Sequence, residues 1–224
     1  MSKTLNFLRL DFKSIQQYLT IKQLGLYVII ILFLSYTMDN SFFVIGMIMM
    51  YGLFYAAYPF AIGDKTQTDI LYTSLPLKKQ HIVVGRYLFA ICINMITAVT
   101  AVVLSGLIGV IFHKEIDLLA SVITVLICLF LYVFVEAVQF PIYFKLGYTK
   151  AKVIAFLPIF LIPFLIALLT SLIKKDTWMA MLSNLFIWAQ EHMILVIVAL
   201  LILLCLVMLL SAVLSYRIYQ KRDF

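Results

Sequence analysis

At 224 residues, 65% hydrophobic and only 12% charged, with a mean hydropathy of +1.12, the chain has the composition of a polytopic membrane protein and not of a soluble domain. Its net charge of +7 suits contact with anionic inner-leaflet lipid, and no exposed basic domain is present to carry nucleic acid.

The first predicted element is a helix over residues 1–22. Leu5, Leu8, Phe12, Ile15 and Leu19 recur at steps of three and four, while Lys3, Arg9, Lys13 and Gln16 fall elsewhere on the wheel. Such a stripe describes a helix lying in the inner interface with its apolar face down. The stretch lacks a small-residue cleavage site, so the expectation is insertion without loss of a signal peptide.

Six apolar runs follow: Leu24–Met38, Phe42–Ile62, Tyr87–Phe112, Leu118–Phe144, Val153–Ile173 and Met193–Tyr216. A helix needs roughly 20 apolar residues to cross a bilayer. The first run is short, so its helix is expected to begin earlier, with Lys22 reaching back to the headgroups.

Between the second and third runs, residues 63–81 form the most structured polar stretch. Thr66 or Thr68 can cap a short helix, with Asp69 near its positive end and Ile70, Leu71 and Tyr72 as a small apolar surface. Ser74, Leu75 and Pro76 then break it, because proline disfavours helical geometry in the residue before it, and Ser74 can cap the next helix. That second helix is expected to carry Lys78, Lys79, His81 and Arg86 through the headgroup region into the third run. A short capped helix with tyrosine and leucine exposed suits docking on another protein; packing against its own chain is the alternative.

In the fourth run Glu136 and Gln139 share nearly one helical face. A carboxylate in lipid is costly, so Glu136 should face protein or water, or be protonated. Residues 145–152 form a second, short polar loop, and Pro158 and Pro163 disrupt the fifth run. Over residues 174–192, Trp178, Met181, Leu182, Leu185 and Trp188 share a helical face, describing an outer amphipathic segment that dips into the outer leaflet or rests on it.

Of the seventeen Lys and Arg residues, fourteen fall in four alternating segments: up to Gln23, Gly63–Arg86, Lys145–Lys152 and Arg217 onward. Lysine and arginine near span ends are retained inside the cell, so both termini and the two loops between should be cytoplasmic. Cys92, Cys128 and Cys205 lie within spans without metal-ligand or redox spacing and read as packing residues. No GxxxxGK[ST] or HExxH occurs, so the chain has no phosphate cradle or zinc-protease motif of its own.

Two inner stretches carry a resemblance. LYTSLPLKKQHIVVGRYL, Leu71 to Leu88, resembles the cytoplasmic motif of bacterial ABC-2 type permeases, a Ser-Leu-Pro triplet before a basic cluster and Val-x-Gly-[RK]-Tyr. FPIYFKLGYTKAK, Phe140 to Lys152, is similar to the second inner loop of that family, and LNFLRLDFKSI, Leu5 to Ile15, to its opening interfacial helix. The resemblance, which extends to the phenol-soluble modulin exporter permeases, implies an all-α polytopic membrane protein of the type V exporter kind. It implies six transmembrane helices, an N-terminal interfacial helix and cytoplasmic coupling helices, in a bacterial cell membrane.

It implies, further, a permease without catalytic residues, cofactor or metal of its own. ATP and Mg would be handled by separate ABC ATPase subunits, and a second permease subunit, identical or not, would complete the pore. Carried residue by residue, Asp69, Leu71, Tyr72, Ser74, Leu75 and Pro76 would dock on the ATPase, and Lys145, Gly147, Tyr148 and Lys150 would make the smaller contact. The cargo would be an amphipathic peptide or other hydrophobic molecule moved outward. Two other readings stay open: a membrane-embedded immunity or assembly protein that binds a toxin peptide without transport, and an ion-coupled transporter using Glu136.

Overall fold

The computed structural model describes residues 2–16, 20–37, 41–66, 79–113, 118–172, 188 and 191–221. The described residues form seven helices and no strand: α1 Ser2–Gln16, α2 Ile21–Thr37, α3 Ser41–Thr66, α4 Lys79–Ile111, α5 Leu118–Leu146, α6 Tyr148–Leu172 and α7 Met193–Gln220. Among the described residues, four stretches are long and apolar enough to cross a membrane: Phe43–Thr66, Lys79–Ile111, Ala120–Leu146 and Leu195–Gln220. Helix α2 has 17 residues, about 26 Å of rise, so the short first run remains short in three dimensions.

The helices overrun the apolar runs at one end of the bundle. Helix α3 continues past Ile62 to Thr66, α4 begins at Lys79 instead of Tyr87, and α7 continues past Tyr216 to Gln220. Intrahelical bonds keep the backbone satisfied beyond the apolar stretch, so the helix does not stop where hydrophobicity stops. The loop expected over residues 145–152 reduces to one non-helical residue, Gly147, between α5 and α6. Residues 67–78 lie outside the described residues, as does nearly all of the amphipathic segment 174–192; of that segment Trp188, Glu191 and His192 are exposed.

Of three buried clusters among the described residues, two span most of the helices. One gathers Ile31 of α2, Ile45 and Met49 of α3, Ala101 of α4, and Val125 and Cys128 of α5. The other, toward the end rich in lysine and arginine, joins α1, α3, α4, α5, α6 and α7 around an aromatic knot. There the Phe60 ring lies 5.1 Å from Phe140, 5.3 Å from Tyr143 and 5.0 Å from Phe144. The outer faces of α4 and α7 expose Val99, Val103, Leu201 and Leu210, as expected where lipid chains are as apolar as leucine.

Candidate functional site

The elements flanking residues 67–78 converge at the basic end of the bundle. Asp64 near the end of α3 reaches the start of α6, and Lys79 at the start of α4 donates from Nζ to the Gln220 carbonyl of α7 at 3.2 Å. Exposed Lys65, Lys145, Lys150, Lys152, Arg217 and Lys221 surround this end.

Within the Val83–Tyr87 segment, VVGRY, each of the last three residues has a distinct physical task. Gly85 lets α1 approach: a Cβ there would lie 2.6 Å from Cδ1 of Phe7, which is buried against it. Arg86 pairs with Asp11 of α1, Nε to Oδ2 at 3.5 Å, with both side chains about as buried as the core. The guanidinium also sits over the rings of Phe60, at 4.8 Å, and Phe7, at 5.6 Å. Thr4 Oγ1 and His81 Nδ1 lie 2.9 Å apart, and Phe12 meets Phe89 edge-on, so α1 is held along the base of α4.

Arg86 is therefore not the headgroup-facing base that the sequence reading expected. A guanidinium between two aromatic faces and a carboxylate is stabilised inside the protein, which a lysine-like position in water would not require. The face that α1 buries is likewise set by protein: Thr4, Phe7, Asp11 and Ile15 point inward, while Arg9, Leu10 and Lys13 are exposed. Sequence reasoning passed over Asp11. Its signal was its place between Leu8 and Ile15, an acid inside the apolar stripe.

Tyr87 ties α4 to α7. Its hydroxyl lies 2.6 Å from Ser211 Oγ and 2.8 Å from Ser215 Oγ, and Ser211 Oγ donates to the Ala137 carbonyl of α5 at 2.6 Å. Since the Ser211 proton is committed to Ala137, Tyr87 donates to Ser211 and Ser215 donates to Tyr87. Three helices are thus joined by one directed chain of hydroxyls. Tyr87→Phe is expected to cost about 1 kcal/mol, read as a lowered unfolding temperature in detergent, with little further loss when Ser215→Ala is added.

Of the residues predicted to meet a partner, Lys145 and Lys150 are exposed, Tyr148 is half-buried with its ring 5.3 Å from Tyr143, and Gly147 is buried. Asp69, Leu71, Tyr72, Ser74, Leu75 and Pro76 lie outside the described residues. The two predicted intramembrane polar residues are both fully buried on α5. Asn94 of α4, which the sequence reading passed over, donates Nδ2 to Glu136 Oε2 at 2.8 Å, so Glu136 faces protein. Beside this contact a groove of about 350 Å³, lined by Asn94, Met95, Val133, Leu204, Cys205 and Met208, opens between α4, α5 and α7.

Among the described residues no group of three or more His, Cys, Asp or Glu could hold a metal. At this end the helices are tied to one another by ion pair, cap and hydroxyl chain. Residues 6–220 match the model of the family described as ABC-2 family transporter protein. The chain belongs to the ABC-2 transporter family. Membership makes it a membrane transport subunit of a kind that works with ABC ATPase partners. No curated protein and no solved structure matches this ABC-2 chain significantly.

Proposed function

We propose that this ABC-2 protein is the permease subunit of an ATP-driven exporter in a bacterial cell membrane. It crosses the membrane six times with both termini cytoplasmic, pairs with a second permease subunit, and receives separate ATPase subunits within residues 63–81 and 145–152. Asp69, Leu71, Tyr72, Ser74, Leu75 and Pro76 form the main contact, and Lys145, Gly147, Tyr148 and Lys150 the smaller one. Its cargo is an amphipathic peptide or lipid-like molecule moved outward.

The observation that supports this reading most is that the ends of α3 and α4, between which the main contact would emerge, are each fastened to other helices at the basic end. A loop rooted in fastened helices can pass partner movement to the bundle, whereas a loop on free ends would absorb it. The apolar groove between α4, α5 and α7 agrees with a cargo that is largely apolar.

The deciding experiment is co-purification from detergent-solubilised membranes. An ATPase subunit is expected to accompany the wild-type chain and to be lost with the double substitution Leu75→Glu and Pro76→Ala, while the permease remains folded. Export of a labelled amphipathic peptide from cells should fall with it. If the doubly substituted chain keeps both ATPase and export, residues 67–78 are not the contact.

A further inference from the structure

Gly147 holds two positions at once. Its φ of +75° places it in the left-handed region, where it ends α5 in the manner of a C-terminal glycine cap, its N–H bonding to the Tyr143 carbonyl at 2.9 Å. Its own carbonyl accepts from Ala151 N at 3.1 Å, so the same residue opens α6. A residue opening a helix ordinarily supplies a side-chain oxygen to one of the first free N–H groups, and Ser, Thr, Asn or Asp is preferred there for that reason. Glycine has no such oxygen. Positive φ disfavours serine and threonine, and asparagine or aspartate, which tolerate it, would bring a Cβ to within 2.8 Å of Asp64 Oδ1.

Asp64 of α3 supplies what Gly147 lacks. Its Oδ2 accepts from Thr149 N at 2.8 Å, and its Oδ1 stands 2.8 Å from where a Cβ on Gly147 would be. The carboxylate thus caps α6 from another helix, at the end where the helix dipole favours negative charge. Only glycine leaves room for it.

Asp64 also stands two residues before the end of α3, at the root of the stretch 67–78 that follows. We propose that Asp64 is the positioning residue that makes the two cytoplasmic contacts one mechanical unit, carrying displacement of the 67–78 segment directly to the start of α6. The proposal rests on the permease reading for its partner, but the joint itself is a property of the chain. Movement of the α3 end would pull the α6 helix by a charge-assisted bond. Without it, the last turn of α3 would lose its polar tie to the first turn of α6.

Two measurements separate the joint from the partner. In the permease alone, freed of native cysteines, spin labels at Lys65→Cys and Lys152→Cys report the distance between the ends of α3 and α6; both positions are exposed. Asp64→Ala is expected to broaden that distribution at least about twofold. Thr149→Pro, which removes the N–H but fits a first helical turn, should broaden it equally, and the two together no further. Asp64→Asn, which keeps an acceptor oxygen, should restore most of the narrowness. An unchanged width in both Asp64→Ala and Thr149→Pro overturns the joint.

In the complex with its ATPase, the Asp64→Ala chain should co-purify the partner at wild-type yield. Cargo-stimulated ATP hydrolysis should nevertheless drop at least about fivefold, with Asp64→Asn recovering it. Broadened distances with unchanged stimulation would overturn Asp64 as the transmitting residue while leaving the cap intact. Failure of the wild-type chain to bring any ATPase would refute the permease reading and with it the transmission, but not the distance result.

Discussion

Arg86→Met is expected to lower stability by about 3–5 kcal/mol, because it leaves the Asp11 carboxylate buried without its cation. For a chain of this size that is a fall of order 10 °C in unfolding temperature, measurable by differential scanning fluorimetry in detergent. The side chain cannot escape the penalty by small movement: it is only 3% exposed, and Phe7 and Phe60 occupy the space around it. Converting both partners, Asp11→Leu with Arg86→Met, should recover most of the loss. Replacing a buried pair by apolar side chains of similar volume is close to neutral, whereas breaking it is not. A double variant as unstable as either single one would show that the pair is not coupled. Loss of the ion pair should also loosen α1, seen as faster proteolysis within residues 2–16 in the Arg86→Met chain.

Gly147→Val is expected to be strongly destabilising. A β-branched residue at φ +75° costs about 1–2 kcal/mol from the backbone alone. Its Cβ would then lie 2.8 Å from Asp64 Oδ1, pushing away the carboxylate that caps α6. Strain and lost cap act together, so the folded yield in size-exclusion chromatography should fall sharply. Gly147→Ala should show a milder version, part of which Asp64→Ala relieves by removing the clash. If Gly147→Val elutes and melts as the wild type does, the left-handed junction between α5 and α6 is not as described. Both predictions concern residues inside motifs that the sequence already singled out. The motifs are intelligible as packing solutions: VVGRY fastens α4 to α1 and α7, and the KLGYT stretch is a helix break bridged by Asp64.

Much of the fold was legible because hydropathy is a local property. Whether a stretch such as Tyr87–Phe112 prefers lipid depends on its own side chains, so the helices α2 to α7 could be placed from one sequence to within a turn or two. The glycine at 147 was visible as part of a motif, and Glu136 as a costly charge needing a protein or water environment. The family itself was readable from the order of the motifs, and the match over residues 6–220 agrees.

What only the tertiary structure decided is which polar groups meet. Arg86 looked like one more interfacial base because its neighbours in sequence are those of a span end; its partner Asp11 lies on another helix, brought beside it by Phe7 packing on Gly85. Asn94 with Glu136, Tyr87 with Ser211 and Ser215, and Asp64 with Thr149 are likewise pairs between helices distant in sequence. Periodicity names the buried face of a helix but not the element that buries it. The energy of an ion pair or a cap depends on that second element, so these contacts exist only in the assembled bundle.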